Sequence, residues 1–227
     1  MELARATWPQ VEATARKTLL AVPLGSTEQH GPHLPFDTDT RIANALACGL
    51  AEMRRDVFVA PALSYGASGE HAAFPGTLLI GHGVLADVVT EIVRSARDSF
   101  RGVVLVCAHG GNQDALAAAQ RRSTQEGDDL LAWTARVPGG DAHAGRTETS
   151  LMLALDPGAV RLDLAEAGCT EPLDALLPRL RSVGVRPVSS NGVLGDPTGA
   201  SAEEGRTLHD ALMTDLSAAV SSRWPLS

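Results

Sequence analysis

Aromatic residues make up only 4% of this 227-residue chain, so its core must be built mostly from Ala, Val and Leu. Cysteine is scarce as well: Cys48, Cys107 and Cys169 are an odd number, widely spaced, with no CxxC pair. That pattern argues against a disulfide framework or a thiolate zinc site and predicts a cytoplasmic, reducing location. Long hydrophobic runs are missing, since no stretch reaches the roughly 20 apolar residues of a membrane helix. The opening MELARA has no basic segment followed by an apolar one, so no signal peptide is expected. Positive charge is sparse: 19 Lys and Arg against 27 Asp and Glu leave a net charge of -8, with no basic block. A nucleic-acid partner needs a basic face and an anionic membrane repels an acidic chain, so neither partner is expected.

What is present is a regular alternation. Thr18 to Leu24, Val57 to Leu63, Val103 to Cys107 and Leu130 to Thr134 are short apolar runs that predict buried strands. Between and after them, helical spacing predicts helices over Asp39 to Met53, Gly83 to Phe100, Asp114 to Gln125, Thr147 to Leu155 and Ala202 to Ser222. Apolar strands alternating with helices imply an α/β fold with a mostly parallel sheet covered on both faces. Recurrent Pro and Gly between Pro178 and Gly199 predict a long irregular connection. With no linker in sight, a single domain over residues 1–227 is expected.

In such sheets ligands gather at the carboxyl ends of the strands, and the polar motifs of this chain fall there. The segment Gly25 to Asp39, GSTEQHGPHLPFDTD, packs Glu28, His30, His33, Asp37 and Asp39 between a strand and a helix. Carboxylate and imidazole are the ligand types for Zn, Mn and Fe(II). Glu28 and His30, two apart, point the same way in an extended stretch. Taken alone, the segment also fits a polar loop in which Asp37 or Asp39 caps a helix.

A second site element is His109, just past the third strand, followed by Gly110-Gly111 and Asn112. A third is DAHAGRTETS, where His143 and Glu148 lead into a helix. Three acid and imidazole clusters at three strand-to-helix junctions suffice for two metal ions, leaving one His for proton transfer. Cys107 beside His109 allows a thiol nucleophile, although a buried Cys is usually a core residue. A phosphate-binding reading of His109-Gly-Gly-Asn lacks any GxGxxG or GxxxxGK[ST] pattern.

GSTEQHGPHLPFDTD, AHGGN, DAHAGRTETS and GDPTGASAEEG together resemble the creatininase family, over about residues 19 to 205. The resemblance implies a three-layer α/β/α sandwich, a two-metal amidohydrolase centre with Fe2+, Zn2+ or Mn2+, and a closed homo-oligomer (hexamer or octamer). Carried over, Glu28, His30, Asp39 and His109 fall on metal ligands, with Asp39 bridging. Creatinine-cleaving members carry a Glu two residues after the third-strand His. Gly111 stands there in this chain, which speaks against creatinine and suggests Glu148 as the remaining carboxylate. His143 and Glu148 are expected at the reacting centre, with His143 passing a proton to the leaving nitrogen. Glu70 and His71 are expected to line the substrate pocket or a subunit contact, and His33 and Asp37 to orient the ligands. His82 and His209 read as structural or surface residues.

Within the family, ATWPQVEA and YGASGEHAAFPGT resemble the branch serving mycofactocin biosynthesis. That branch implies a peptidase releasing a modified C-terminal Val-Tyr unit from a radical-SAM-processed precursor peptide. The alternative is hydrolysis of a small cyclic amide or formamide, such as creatinine or a formylated pyrimidine intermediate.

Overall fold

The apolar runs form four parallel strands, β1 (Leu19–Leu24), β2 (Val57–Val59), β3 (Gly102–Cys107) and β4 (Leu130–Thr134), in the order β2-β1-β3-β4. These come from a computed structural model that describes residues 1–226. Every residue of β1, β2 and β3 is buried, which is why each is a continuous apolar run rather than an alternating one.

Successive side chains leave a strand on opposite faces, and the core divides accordingly. Leu19, Ala21, Val104 and Val106 pack with the helices α2 (Thr38–Met53), α5 (Arg146–Leu155) and α7 (Ala202–Arg223). Leu20, Val22, Leu24, Leu105 and Cys107 pack with α3 (His82–Ala96) and α4 (Gln113–Glu126). The result is a three-layer α/β/α sandwich, as the alternation and the family resemblance implied. Among the described residues, no helix is long and apolar enough to cross a membrane.

Three elements depart from expectation. β2 stops at Val59 instead of Leu63, because Pro61 has no N–H to extend the ladder. Leu63 still donates to the Pro23 carbonyl at 2.9 Å, so the segment follows β1 as a single bridge. A short helix α1 (Trp8–Glu12) precedes the sheet, with Pro9 in its first turn. A further helix, α6 (Leu173–Val183), runs through Pro178, where an irregular segment was expected. Burial of Leu176 and Leu180 in a small separate cluster outweighs the backbone bond that proline removes.

The loops after all four strands open at one end of the sheet, and the first turns of α2 and α5 are presented there. α5 is held in place by α7, which it meets at Gly205. A Cβ at Gly205 would run into the carbonyl oxygen of Ser150. Gly205→Ala gains up to about 1 kcal/mol of helix propensity, while forcing helix backbones apart costs about 1–3 kcal/mol or more. Net destabilisation is therefore expected in urea unfolding; an unchanged or raised midpoint would show that the two helices have slack.

Candidate metal centre

The loop after β1 folds back on itself, with Glu28 N–H donating to the Phe36 carbonyl (3.1 Å). This return brings Asp39, in the first turn of α2, alongside His30. His109 follows β3 directly. His143 is fixed by a two-way backbone pairing with Leu194, and Glu148 lies in the first turn of α5, where its carboxylate accepts the Ala144 N–H at 2.6 Å.

These groups converge. Asp39 Oδ1 lies 3.2 Å from His30 Nε2, and Asp39 Oδ2 lies 3.1 Å from His109 Nδ1. Ser26 Oγ donates to the same Oδ2 at 2.8 Å. Glu28 faces three imidazoles: His109 Nε2 at 3.3 Å, His71 Nε2 at 3.4 Å and His143 Nδ1 at 3.6 Å. Glu148 Oε2 is 3.8 Å from His30 Nε2. Glu28, His30 and Asp39 are each at most 1% exposed.

Both Glu28 oxygens are buried without a hydrogen-bond partner. A buried carboxylate in that state costs several kcal/mol unless something compensates it. Its neighbours aim at a shared space rather than at its lone pairs. Ligand-type atoms gather within 4.8 Å in three sets: Glu28, Asp39 and His109; His30, His143 and Glu148; Glu28, His71 and His143. The chemistry of these donors fits divalent Zn, Mn or Fe(II). His30 fits such a role further, because its Nδ1 lies 3.1 Å from the Glu28 carbonyl and can donate there. That tautomer turns the Nε2 lone pair towards Asp39 and Glu148.

Electrostatics point the same way. Burial alone would lower the His30 and His109 pKa values, but the facing carboxylates win. Asp39 lifts His30, and Glu28 with Asp39 lifts His109, each to about 10. Burial raises Glu28 and Glu148 to about 7 despite nearby imidazoles. The cluster thus holds protons where no cation replaces them. His71, pushed down to about 3 by burial and by His109, stays neutral, as does His143, lowered by burial and by His71.

Sequence-singled residues meet different fates. Glu28, His30, Asp39, His109, His143 and Glu148 come together. His71 joins them as a buried neighbour of Glu28, while Glu70 stands at the rim with Oε1 3.9 Å from His109 Nε2. His33 hydrogen-bonds Thr149 Oγ1 at 2.8 Å, behind α5. Asp37 does not orient ligands: its carboxylate pairs with Arg41, which also reaches Asp156. His82, at the start of α3, and His209, on α7, lie outside the cluster. Cys107 is fully buried with its thiol pushed up to about 12 by desolvation, which leaves no thiolate for attack.

Sequence reasoning missed Ser26 and Gln29. Gln29 Nε2 reaches His71 Nδ1 at 2.9 Å and the Gly192 carbonyl at 3.1 Å, tying three loops together. The only signal was their position inside the first motif. Beside the cluster an open cleft of about 390 Å³ is lined by Gln29, Pro32, Phe74, Pro75, Glu166 and Asn191, among others. A smaller cavity of about 130 Å³ lies at the opposite end of the sheet, by Arg101 and Asp129.

Comparison with known proteins adds to this geometry. The family described as "Creatininase: Creatinine amidohydrolase" matches residues 4–220. A mycofactocin precursor peptide peptidase of Mycolicibacterium smegmatis is 50% identical over 195 residues, covering 84% of this chain and 79% of that protein. The Mycobacterium tuberculosis protein of the same name is 46% identical over 232 residues, covering 98% and 91%. A solved structure described as "Creatininase Mn" superposes with a TM-score of 0.80 at 26% identity, covering 99% of both chains.

Protonation of the cluster and cation binding exclude one another. Below pH 10 an ion must displace protons from His30 and His109, and below pH 7 from Glu28 and Glu148 as well. Affinity for Zn2+ or Mn2+ is therefore expected to rise at least about a hundredfold from pH 6 to pH 8, since each displaced proton adds about one log unit per pH unit. Chelator competition at each pH measures this, and a pH-independent affinity would contradict it. The chelated protein should also lose thermal stability between about pH 7 and pH 10. Histidines raised above their unfolded value contribute stability that is complete below about 6.5 and gone above the folded value.

Proposed function

The chain belongs to the creatininase family, and from that premise we propose that it is a metal-dependent peptidase. Its substrate on this reading is the radical-SAM-processed mycofactocin precursor peptide, from which it releases the modified C-terminal Val-Tyr unit. The carrying observation is the Glu28 carboxylate, buried without a hydrogen-bond partner and faced by three imidazoles. Relatives at 46–50% identity named as peptidases of that peptide support the substrate.

Glu28, Asp39 and His109 would hold one divalent ion, and His30, Asp39 and Glu148 a second, with one Asp39 oxygen facing each group. Such a pair supplies an acidified water and polarises the amide carbonyl. The protein's own work is proton handling and positioning. The 2.8 Å contact from His143 Nε2 to the Gln29 carbonyl assigns the proton to Nε2, leaving Nδ1 as a base turned into the cluster. With its Nε2 proton engaged by the Gln29 carbonyl, the free Nδ1 lone pair is placed to take the proton lost by the attacking water. It then delivers that proton to the amide nitrogen as the C–N bond breaks. Glu148, in the first turn of α5, holds its place by accepting the Ala144 N–H. His71, oriented by Gln29, contacts the substrate, and the cleft along Gln29, Phe74 and Asn191 receives the chain leading up to the cut bond.

The chain would act as one domain over residues 1–227, in the cytoplasm and as a homo-oligomer. Exposed Tyr65, Leu78, Leu79 and Val84 support the last point. The Ile80 N–H to Gly66 carbonyl bond sets these two apolar segments side by side.

Three measurements test the reading. Protein stripped of metal should not cleave a processed precursor peptide, while Fe2+, Zn2+ or Mn2+ should restore release of the C-terminal dipeptide by mass spectrometry. Cleavage of creatinine but not of the peptide would overturn the substrate. His143→Ala should lower kcat about 10²–10⁴-fold, as for loss of a general acid–base group, with metal content unchanged; loss of metal would make His143 a ligand instead. Cys107→Ala should leave turnover near wild type, and its abolition with metal still bound would restore the thiol nucleophile.

A further inference from the structure

We propose that Glu70 is a metal ligand, supplying a further carboxylate to the ion held by Glu28, Asp39 and His109, instead of contacting substrate. The inference rests on the two-ion reading above.

Glu70 sits in a short helical turn, Gly69–His71, in the loop after β2. That turn is anchored: the Glu70 carbonyl accepts the Val185 N–H at 2.8 Å, and His71 N–H donates to Ser68 at 3.0 Å. Its two polar side chains both turn inwards, His71 onto Glu28 and Glu70 onto His109. Glu70 Oε1 lies 3.9 Å from His109 Nε2, on the ring edge that also faces Glu28 Oε2 at 3.3 Å. Two donors bound about 2.0–2.2 Å from one ion lie about 3–3.5 Å apart. A side-chain shift of roughly half an ångström brings Glu70 to that spacing from His109, and because Glu70 lies outside the three sets that gather within 4.8 Å, its side chain must also swing towards Glu28 and Asp39.

Three further facts favour this role. Among the described residues Glu70 pairs with no Lys or Arg, so nothing else accounts for its direction. Its carboxylate is about a quarter exposed, which leaves it at the open side of the cluster. Room for it is made by Gly111. A Cβ at residue 111 would meet His109 Nε2 and come within 2.6 Å of Glu70 Oε1 and 2.7 Å of the Ala67 carbonyl. A side chain at 111 and the carboxylate of Glu70 therefore compete for one space, and this chain fills it with Glu70.

The test is metal binding itself. Wild type, Glu70→Ala, Glu70→Gln and Glu28→Gln are stripped and titrated with Zn2+ and Mn2+ against a chromophoric chelator. Bound metal is counted by elemental analysis, and circular dichroism of the stripped proteins checks that each folds. Two ions per chain are expected in wild type. Both Glu70 variants should weaken one of the two sites about 10–100-fold, the usual scale for lost support at a metal, and Glu28→Gln should weaken the same one. Wild-type affinity for both ions in both Glu70 variants, with only KM for the peptide raised, would overturn the Glu70 assignment and leave the two-ion centre intact. A wild type without stoichiometric metal would overturn both.

Discussion

A carboxylate buried at the end of a parallel sheet with no hydrogen-bond partner is the constraint around which the rest of this structure is arranged. Glu28 cannot stay ionised there alone, because desolvation outweighs what distant dipoles return. Around it the chain places imidazoles rather than Lys or Arg. Imidazole nitrogens give up their proton to a metal ion, whereas guanidinium would neutralise the site permanently. Raised values at His30 and His109 beside lowered values at His71 and His143 divide the cluster into imidazoles that carry a proton and imidazoles that stay neutral.

The fold serves that constraint by rigidity. β1 and β3 are neighbours in the middle of the sheet, so the loops carrying Glu28 and His109 leave from adjacent, fully buried strands. Asn112 ties those loops together, accepting the Ala67 N–H and donating to the Gly25 carbonyl. Gln29 links the first loop to His71 and to Gly192. Few of the polar groups near the centre are free to turn, which is the condition for donors to hold a geometry without reorganising.

Much of this was legible in the residues. Parallel strands bury both faces, so TLLAVPL and VVLVC announce themselves as unbroken apolar runs, and Ile42, Leu46 and Leu50 mark the buried side of α2. Glu28, His30, Asp39, His109, His143 and Glu148, which the fold brings together, were visible because acid and imidazole side chains recur at three strand-to-helix junctions. What was hidden is tertiary. Proline frequency suggested an irregular segment around Pro178, yet packing of Leu176 and Leu180 carries a helix through it. Asp37 looked like part of the cluster from its neighbours in sequence, but a surface Arg41 claims it. The relation between Gly111 and Glu70, forty-one positions apart, cannot be seen without the fold that presses them together.

The central claim is that Asp39 lies between two metal ions. Anomalous diffraction from crystals of metal-reconstituted protein, collected on both sides of the metal's absorption edge, tests it directly. The account predicts two anomalous peaks flanking the Asp39 carboxylate, one among Glu28, Asp39 and His109, the other among His30, Asp39 and Glu148. A map with no peak at Asp39, or with a single peak elsewhere in the chain, would contradict it.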